Sequence, residues 1–416
     1  MNYSRTSLIL SSAASLLFFG FLATTARSAT VTLHDFTGSP NDGDTPSGSL
    51  TVFGSKIYGT TFYGGSIGNG TLFSMNADGT GFNRLHDFLG NGTIGIDDGF
   101  APVGSPTLSG SQFYGMTAAG GGYSGGGLFY RVNTDGTGYS KLHFFGGGTN
   151  DGSEPAGSPT LSGSKVYGMT VHGGSSNSGT IFGMNSDGTG FSLLHSFFNA
   201  TIPVGSLVLS GSKLFGMTRT GNLAGDTIFS MNTDGTGYAP LHIFNGGAGD
   251  GAQPLSSLTL IGSKLFGMTN YGGPSNSGVL FSINTDGTGF SLLHSFIGGA
   301  NDGQFPTNSL TIFGSKLYGA TQYGGTSGAG IIFGINIDGT GFSALEHLNP
   351  GGPIGTTIAG DIAFSANGST LYSTTRYGGS VSKGTIFSSS LSVPEPATST
   401  LLCLSALLLT KRQRRT

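Results

Sequence analysis

The stretch Ser158–Phe197, SPTLSGSKVYGMTVHGGSSNSGTIFGMNSDGTGFSLLHSF, decides how this chain folds. It holds four short runs rich in β-branched and aromatic residues: Ser158–Leu161, Lys165–Thr170, Thr180–Asn185 and Phe191–Phe197. Such runs, broken by Gly and Ser, carry the signature of strands, and no helical period of useful length appears. Ser162-Gly163-Ser164 is short enough for a tight hairpin between the first two. Ser186-Asp187-Gly188-Thr189-Gly190 joins the last two, and Asp-Gly supplies the positive φ values that hairpin turns need. The reading is one four-stranded antiparallel unit.

That unit recurs seven times. Its Leu-His pair places leucines at Leu33, Leu85, Leu142, Leu194, Leu241, Leu293 and Leu345, at intervals of 52, 57, 52, 47, 52 and 52 residues, with Glu346 replacing the last His. The Lys-Leu-Tyr-Gly-Met-Thr segment starts at Lys56, Gln112, Lys165, Lys213, Lys264, Lys316 and Thr370. Gly-Thr-Ile-Phe is read as starting at Gly70, Gly126, Gly179, Asp226, Gly278, Gly330 and Gly384. Asp-Gly-Thr-Gly has only six copies, from Asp78 to Asp338. Four strands in about 50 residues match one propeller blade. A blade cannot bury both faces alone, whereas a closed ring packs each on two neighbours. The expected fold is therefore all-β: a seven-bladed propeller over residues 29–390. The chain opens with a lone fourth-strand segment, Val31–Phe36, and its last unit lacks a fourth strand. The first segment should thus complete the seventh blade.

Composition agrees. Gly accounts for 78 of 416 residues, charged residues for 9%, and the formal net charge is −3. The glycines keep register with the apolar residues, so they read as turns of a regular architecture. No basic stripe lies outside the last residues, which argues against nucleic acid as a partner. The single cysteine, Cys403, allows no intramolecular disulfide and no cysteine-based zinc site.

Both ends read as addresses. Arg5, the apolar stretch Leu8–Leu22 and small residues at Ala26 and Ser28 make residues 1–28 a secretory signal peptide. Residues 391–416 contain Pro394-Glu395-Pro396, the apolar segment Ala397–Thr410 and a basic end with Arg412, Arg414 and Arg415. About 14 apolar residues are few for a permanent span. This order resembles the PEP-CTERM sorting signal of Gram-negative bacteria. The resemblance implies an exosortase-type sorting enzyme as partner, transient membrane association through the tail, and delivery to the cell surface or extracellular matrix. The alternative is an ordinary C-terminal membrane anchor. The central repeat, roughly Val31 to Phe387, resembles the GloVer extracellular tandem repeats of bacteria. That likeness implies a propeller at the surface and brings no ligand or reaction.

Candidate chemistry is sparse. His34, His86, His143, His195, His242 and His294 sit on the outermost strand of different blades, so they cannot meet at one ion. Each is expected to hydrogen-bond a neighbouring turn, such as the Asp-Gly loop that follows it. His347, one residue displaced, should face the other side of its strand. The Asn-Thr-Asp-Gly-Thr-Gly turns offer one Asp and one Asn with no Glu after them, which favours hairpins over calcium loops. The second acidic loop, with Asn-Asp-Gly at Asn41, Asn150 and Asn301, leaves calcium as an alternative there. No phosphate loop, nucleophile elbow or cofactor motif is present, and no metal site or cofactor is assigned. The most suggestive register lies seven residues after each second-strand Lys, and carries Tyr63, Ala119, His172, Thr220, Tyr271, Tyr323 and Tyr377. It should lie on the ring face that bears the long loops, where rigid scaffolds bind. Tyr63, His172, Tyr271, Tyr323 and Tyr377 are accordingly candidate ligand contacts, with extracellular polysaccharide as the expected partner. The opposing reading makes Tyr-Gly-Gly a seal between blades. The favoured function is an exported binding or structural module rather than an enzyme. The alternative is a propeller lyase or glycosidase with its site in the central channel, for which Arg219, Arg376 and Asp361 are the outlying polar residues.

Overall fold

A computed structural model describes residues 30–90, 97–121, 125–199, 201–220 and 225–391. The segment read as a leader and the sorting residues Pro394 to Arg415 lie outside the described residues. Those described form seven antiparallel blades and, among them, no helix. In blade 3 the strands are Gly152–Ser162, Lys165–Gly173, Thr180–Asn185 and Ser192–Ser196, paired in that order. Blade 1 repeats this with Gly43–Phe53, Lys56–Gly64, Thr71–Asn76 and Asn83–Asp87.

The seventh blade closes as the order of markers requires. Its own strands end with Thr370–Tyr377 and Thr385–Ser390, and its fourth strand is Thr30–Asp35. Thr30 pairs Ser389, Thr32 pairs Phe387 and His34 pairs Ile386. Phe36 N–H then donates to Gly384 O at 3.0 Å.

Seven apolar clusters form the core, one at each blade junction. One joins Leu50, Ile57 and Phe73 of blade 1 to Phe36, Tyr372 and Ile386 of blade 7. Another joins Tyr318 and Ile332 of blade 6 to Leu371 and Phe387 of blade 7. An open row of seven blades would have six junctions, so the seventh is the signature of a ring.

The innermost strand departs from expectation. It begins at Gly152 rather than Ser158 in blade 3, because Glu154, Pro155 and Gly157 break the strand signature without breaking the strand. Thr45, Ala101, Glu154, Gln253, Phe305 and Thr357 occupy equivalent left-handed positions, with φ between 53° and 60°. The reason lies in the neighbour. The turned N–H groups of Thr45, Ala101, Glu154 and Phe305 donate to Lys383 O, Asn69 O, Gly126 O and Ser277 O of the preceding blade. Each gains a cross-blade hydrogen bond that offsets the backbone strain.

At the axis the same strands bend through Gly-Ser or its equivalent. Ser49 N–H donates to Ser105 Oγ, Ser105 to Ser158, Ser158 to Ser206, Ser206 to Ser257 and Ser257 to Ser309, at 2.7–3.0 Å. Ser309 N–H donates to Asp361 Oδ1 at 2.6 Å, and Asp361 N–H returns to Ser49 Oγ at 2.9 Å. The seven bonds form one circle. Glycine precedes serine because the next blade is so close: a Cβ on Gly104, at φ +65°, would lie 2.4 Å from Gly157 O.

Candidate functional site

The histidines are junction pieces. A β-bulge at the preceding leucine, as at Leu194 between the pairs Ile181–His195 and Phe182–Leu193, re-aims the fourth strand. Each imidazole then stacks on the aromatic that follows the next blade's Asp-Gly-Thr-Gly. His34 lies on Phe82, His86 on Tyr139, His143 on Phe191, His195 on Tyr238, His242 on Phe290 and His294 on Phe342, at 3.8–4.0 Å and within 10° of parallel. The turn glycine rests on the bulged leucine, since a Cβ on Gly79 would meet Leu33 O at 3.3 Å. The recurring aromatic was the signal for this contact, but a repeat period does not say which neighbour it meets.

The expected loop partner is present in five copies. Nε2 of His34, His86, His143, His242 and His294 lies 2.9–3.3 Å from Asp42, Asp98, Asp151, Asp250 and Asp302. Burial alone would raise the Asp42 carboxyl, but hydrogen bonds from His34, Thr37 N–H and Gly43 N–H outweigh it and hold it below the ordinary range. These carboxylates are thus occupied by protein donors. The loop after blade 3 is short and has no such Asp, and burial lowers the His195 pKa. Glu346 stands where His would, and accepts from Thr30 Oγ1 at 2.6 Å. The change suits its junction, because blade 7 has no Asp-Gly-Thr-Gly hairpin to supply an aromatic. His347 faces the opposite side, and its Nδ1 lies 3.3 Å from Thr326 N.

The Asp-Gly-Thr-Gly carboxylates serve their own hairpins. Asp78 Oδ1 accepts from Thr80 N–H at 2.9 Å and from Thr80 Oγ1 at 2.7 Å, and the other five copies do the same. The Gly-Thr-Ile-Phe glycine of blade 2 is Gly127, one residue later than its spacing suggests. Gly127 abuts Pro155 of blade 3, as Gly70 abuts Pro102.

Tyr63, Tyr323 and Tyr377 stand at the ends of second strands and are 52%, 48% and 50% exposed. Their rings therefore do not seal the junctions. The closure there belongs to the glycines, as where a Cβ on Gly70 would lie 2.6 Å from Pro102 Cδ of blade 2. The structure brings two groups together. Tyr63 and Tyr377 line a cleft of about 590 Å³ between blades 7 and 1, with Phe62, Arg376, Asp44 and Lys383. Tyr271 and Tyr323 flank Phe305, with ring centroids 5.2 and 6.0 Å away. His172 is apart from both, its Nε2 3.1 Å from Glu154. Ala119 and Thr220 complete the register. The aromatic positions thus occupy four consecutive blades, 5, 6, 7 and 1, and blades 2–4 lack them. Sequence reasoning missed Phe305 and Lys383, which come from other strands or loops than the tyrosines they approach, and Phe62, which directly precedes Tyr63 on its strand.

The three polar outliers are not one constellation. Asp361 belongs to the axial circle, Arg376 to the cleft and Arg219 to blade 4, and no hydrogen bond joins any two of them. Burial raises the pKa of Asp361, against the lowering effect of its bonds to Ser309 and Ser49. The axial cavity, about 140 Å³, is lined by the Gly-Ser bends.

Comparison with known proteins agrees with this architecture. The model of the Gloeobacter/Verrucomicrobia repeat matches residues 93–260 and 222–402. Among solved structures, an oligogalacturonate lyase in complex with manganese superposes with TM-score 0.54 at 10% identity, over 89% of this chain and 99% of that one. TolB from Acinetobacter baumannii gives TM-score 0.42 at 11% identity, over 82% and 78%. The lyase likeness is one of fold alone. No curated protein matches the chain. Since the repeat matches cover most of its length, the chain belongs to the Gloeobacter/Verrucomicrobia repeat family, here built as a seven-bladed propeller.

Proposed function

We propose that this protein is an exported binding module that holds extracellular polysaccharide on the loop face of its propeller. One observation carries the reading: tyrosines at one register on four consecutive blades, three of them about half exposed. Blades 2 and 4 make their junctions with Ala119 and Thr220 at that register, so packing does not demand the aromatic. Tyrosine offers a flat apolar face and a polar tip, which suits a sugar ring with C–H groups on its faces and hydroxyls at its edge. A run of such faces over adjacent blades fits a polymer better than a single small molecule.

The test is retention of the purified protein on a panel of immobilised extracellular polysaccharides. Tyr63→Ala with Tyr377→Ala, and separately Tyr271→Ala with Tyr323→Ala, should each weaken retention about tenfold, or about 1.4 kcal/mol. Melting temperature should hold for the exposed pair. Unchanged retention in both variants overturns the reading.

Export and sorting belong to the same proposal. Residues 1–28 direct secretion, and the Pro394-Glu395-Pro396 tail is cut by an exosortase-type enzyme to leave the propeller at the cell surface or in the matrix. Replacing Pro394, Glu395 and Pro396 with alanine should leave the chain in the membrane fraction. Normal release by that variant would exclude this route.

A further inference from the structure

We infer that the cleft between blades 7 and 1 selects a carboxylate-bearing saccharide, an inference that rests on the polysaccharide reading above. Arg376 is the residue that breaks the pattern. One step before the register tyrosine, the other blades of the arc carry Phe62, Asn270 and Gln322, and Arg376 alone is cationic. Arg219 holds the same register in blade 4, outside the arc, with its Nε buried.

Arg376 is exposed, beside Tyr377 and across the cleft from Tyr63 and Phe62. Among the described residues, the one carboxylate lining that cleft is already occupied. Asp44 Oδ2 accepts from Lys383 Nζ at 2.6 Å, and its Oδ1 accepts from Thr45 Oγ1 at 2.9 Å. The backbone fixes this arrangement, since Thr45 N–H donates to Lys383 O at 2.9 Å. Lys383 therefore neutralises Asp44, and no ion pair engages Arg376 among the described residues.

A guanidinium presents its N–H donors in a planar fork that matches a carboxylate through two parallel bonds. Flanked by aromatic faces, it is placed to take the acid group of a uronate whose ring lies on Tyr63 or Tyr377. A neutral sugar would use the same faces and leave the fork unmatched.

The experiment compares binding of the full chain to alginate, a uronate polymer, with dextran, which is neutral, and dextran sulfate, in one buffer of fixed ionic strength. Alginate should bind about tenfold tighter than dextran, a gap of about 1.4 kcal/mol. Arg376→Gln should abolish that gap, while melting temperature and dextran binding hold. Equal binding of alginate and dextran, or an Arg376→Gln variant that keeps the preference, overturns the inference and leaves the aromatic surface standing. Dextran sulfate binding as tightly as alginate overturns the carboxylate assignment, because charge alone would then explain it. Failure of all three polymers to bind overturns both readings.

Discussion

Truncating Phe36 tests ring closure at a single side chain. Phe36 follows the N-terminal strand, is fully buried, and meets Phe73 of blade 1 at 5.5 Å between ring centroids. It also packs with Leu50 and Ile57 of blade 1 and Ile386 of blade 7. Phe→Ala at a buried site costs about 3–5 kcal/mol, the lost transfer energy plus the cavity left behind. A domain of about 360 residues has an unfolding entropy near 0.76 kcal/mol/K at about 2.1 cal/mol/K per residue. The expected fall in Tm is therefore about 4–7 °C. Phe197→Ala is the control, because Phe197 holds the same place at the junction of blades 3 and 4, 5.7 Å from Phe229. Both substitutions should lower Tm by similar amounts in thermal circular dichroism, and deleting Val31–Phe36 should lower it further. If Phe197→Ala lowers Tm and neither Phe36→Ala nor the deletion does, the N-terminal strand is not part of the ring.

Three further outcomes are expected. Gly104→Ala and Gly110→Ala both place a side chain at positive φ, but only Gly104 faces backbone at 2.4 Å, while nothing lies within 4 Å of Gly110. Chemical denaturation should show Gly110→Ala costing about 1–2 kcal/mol and Gly104→Ala clearly more; equal costs would show that the axis is not crowded. His195, whose folded pKa is lowered by burial, contributes stability that is full above its unfolded value near 6.5 and is lost as pH falls through the folded value. The wild-type Tm should therefore drop more than that of His195→Phe between pH 7 and 5, and parallel curves would refute the assignment. Asp361 has a raised folded pKa, so its ionised form costs stability as pH rises from below about 4 to neutral. Asp361→Ser, which restores a seventh serine to the circle, should raise Tm at pH 7 and lose that advantage at low pH; a lower Tm at pH 7 would contradict it.

Much of the architecture was legible because each blade repeats the same demands. Leucine, histidine and the hairpin turns recur wherever one blade must meet the next, so their spacing exposes the blade count and the missing fourth strand. The axis was hidden by the residues that build it. Glu154, Pro155 and Gly157 look like a loop, yet they belong to an inner strand that turns sharply to hand its N–H to a neighbour. The candidate surface was half readable. The register placed Tyr63, Tyr271, Tyr323 and Tyr377 at equivalent strand ends, but grouping them required knowing which blades adjoin and that Phe305 reaches between two of them. His172 shared the register without sharing the cluster, because the blades on either side of it carry Ala119 and Thr220 there. The reading of the two ends, 1–28 and 391–416, rests on composition and order alone, and the leader and the sorting residues lie outside the described residues.

Blade 7 has one more consequence, a mechanical one. Its third strand, Thr385–Ser390, lies between Thr370–Tyr377 and Thr30–Asp35 rather than at an edge. Tension entering through the polypeptide beyond Leu391 pulls along that strand, so the rungs on both flanks share the load in shear instead of opening one after another. A tether attached there would grip the disc by its best-held strip, and tearing it loose would demand rupture of two ladders at once.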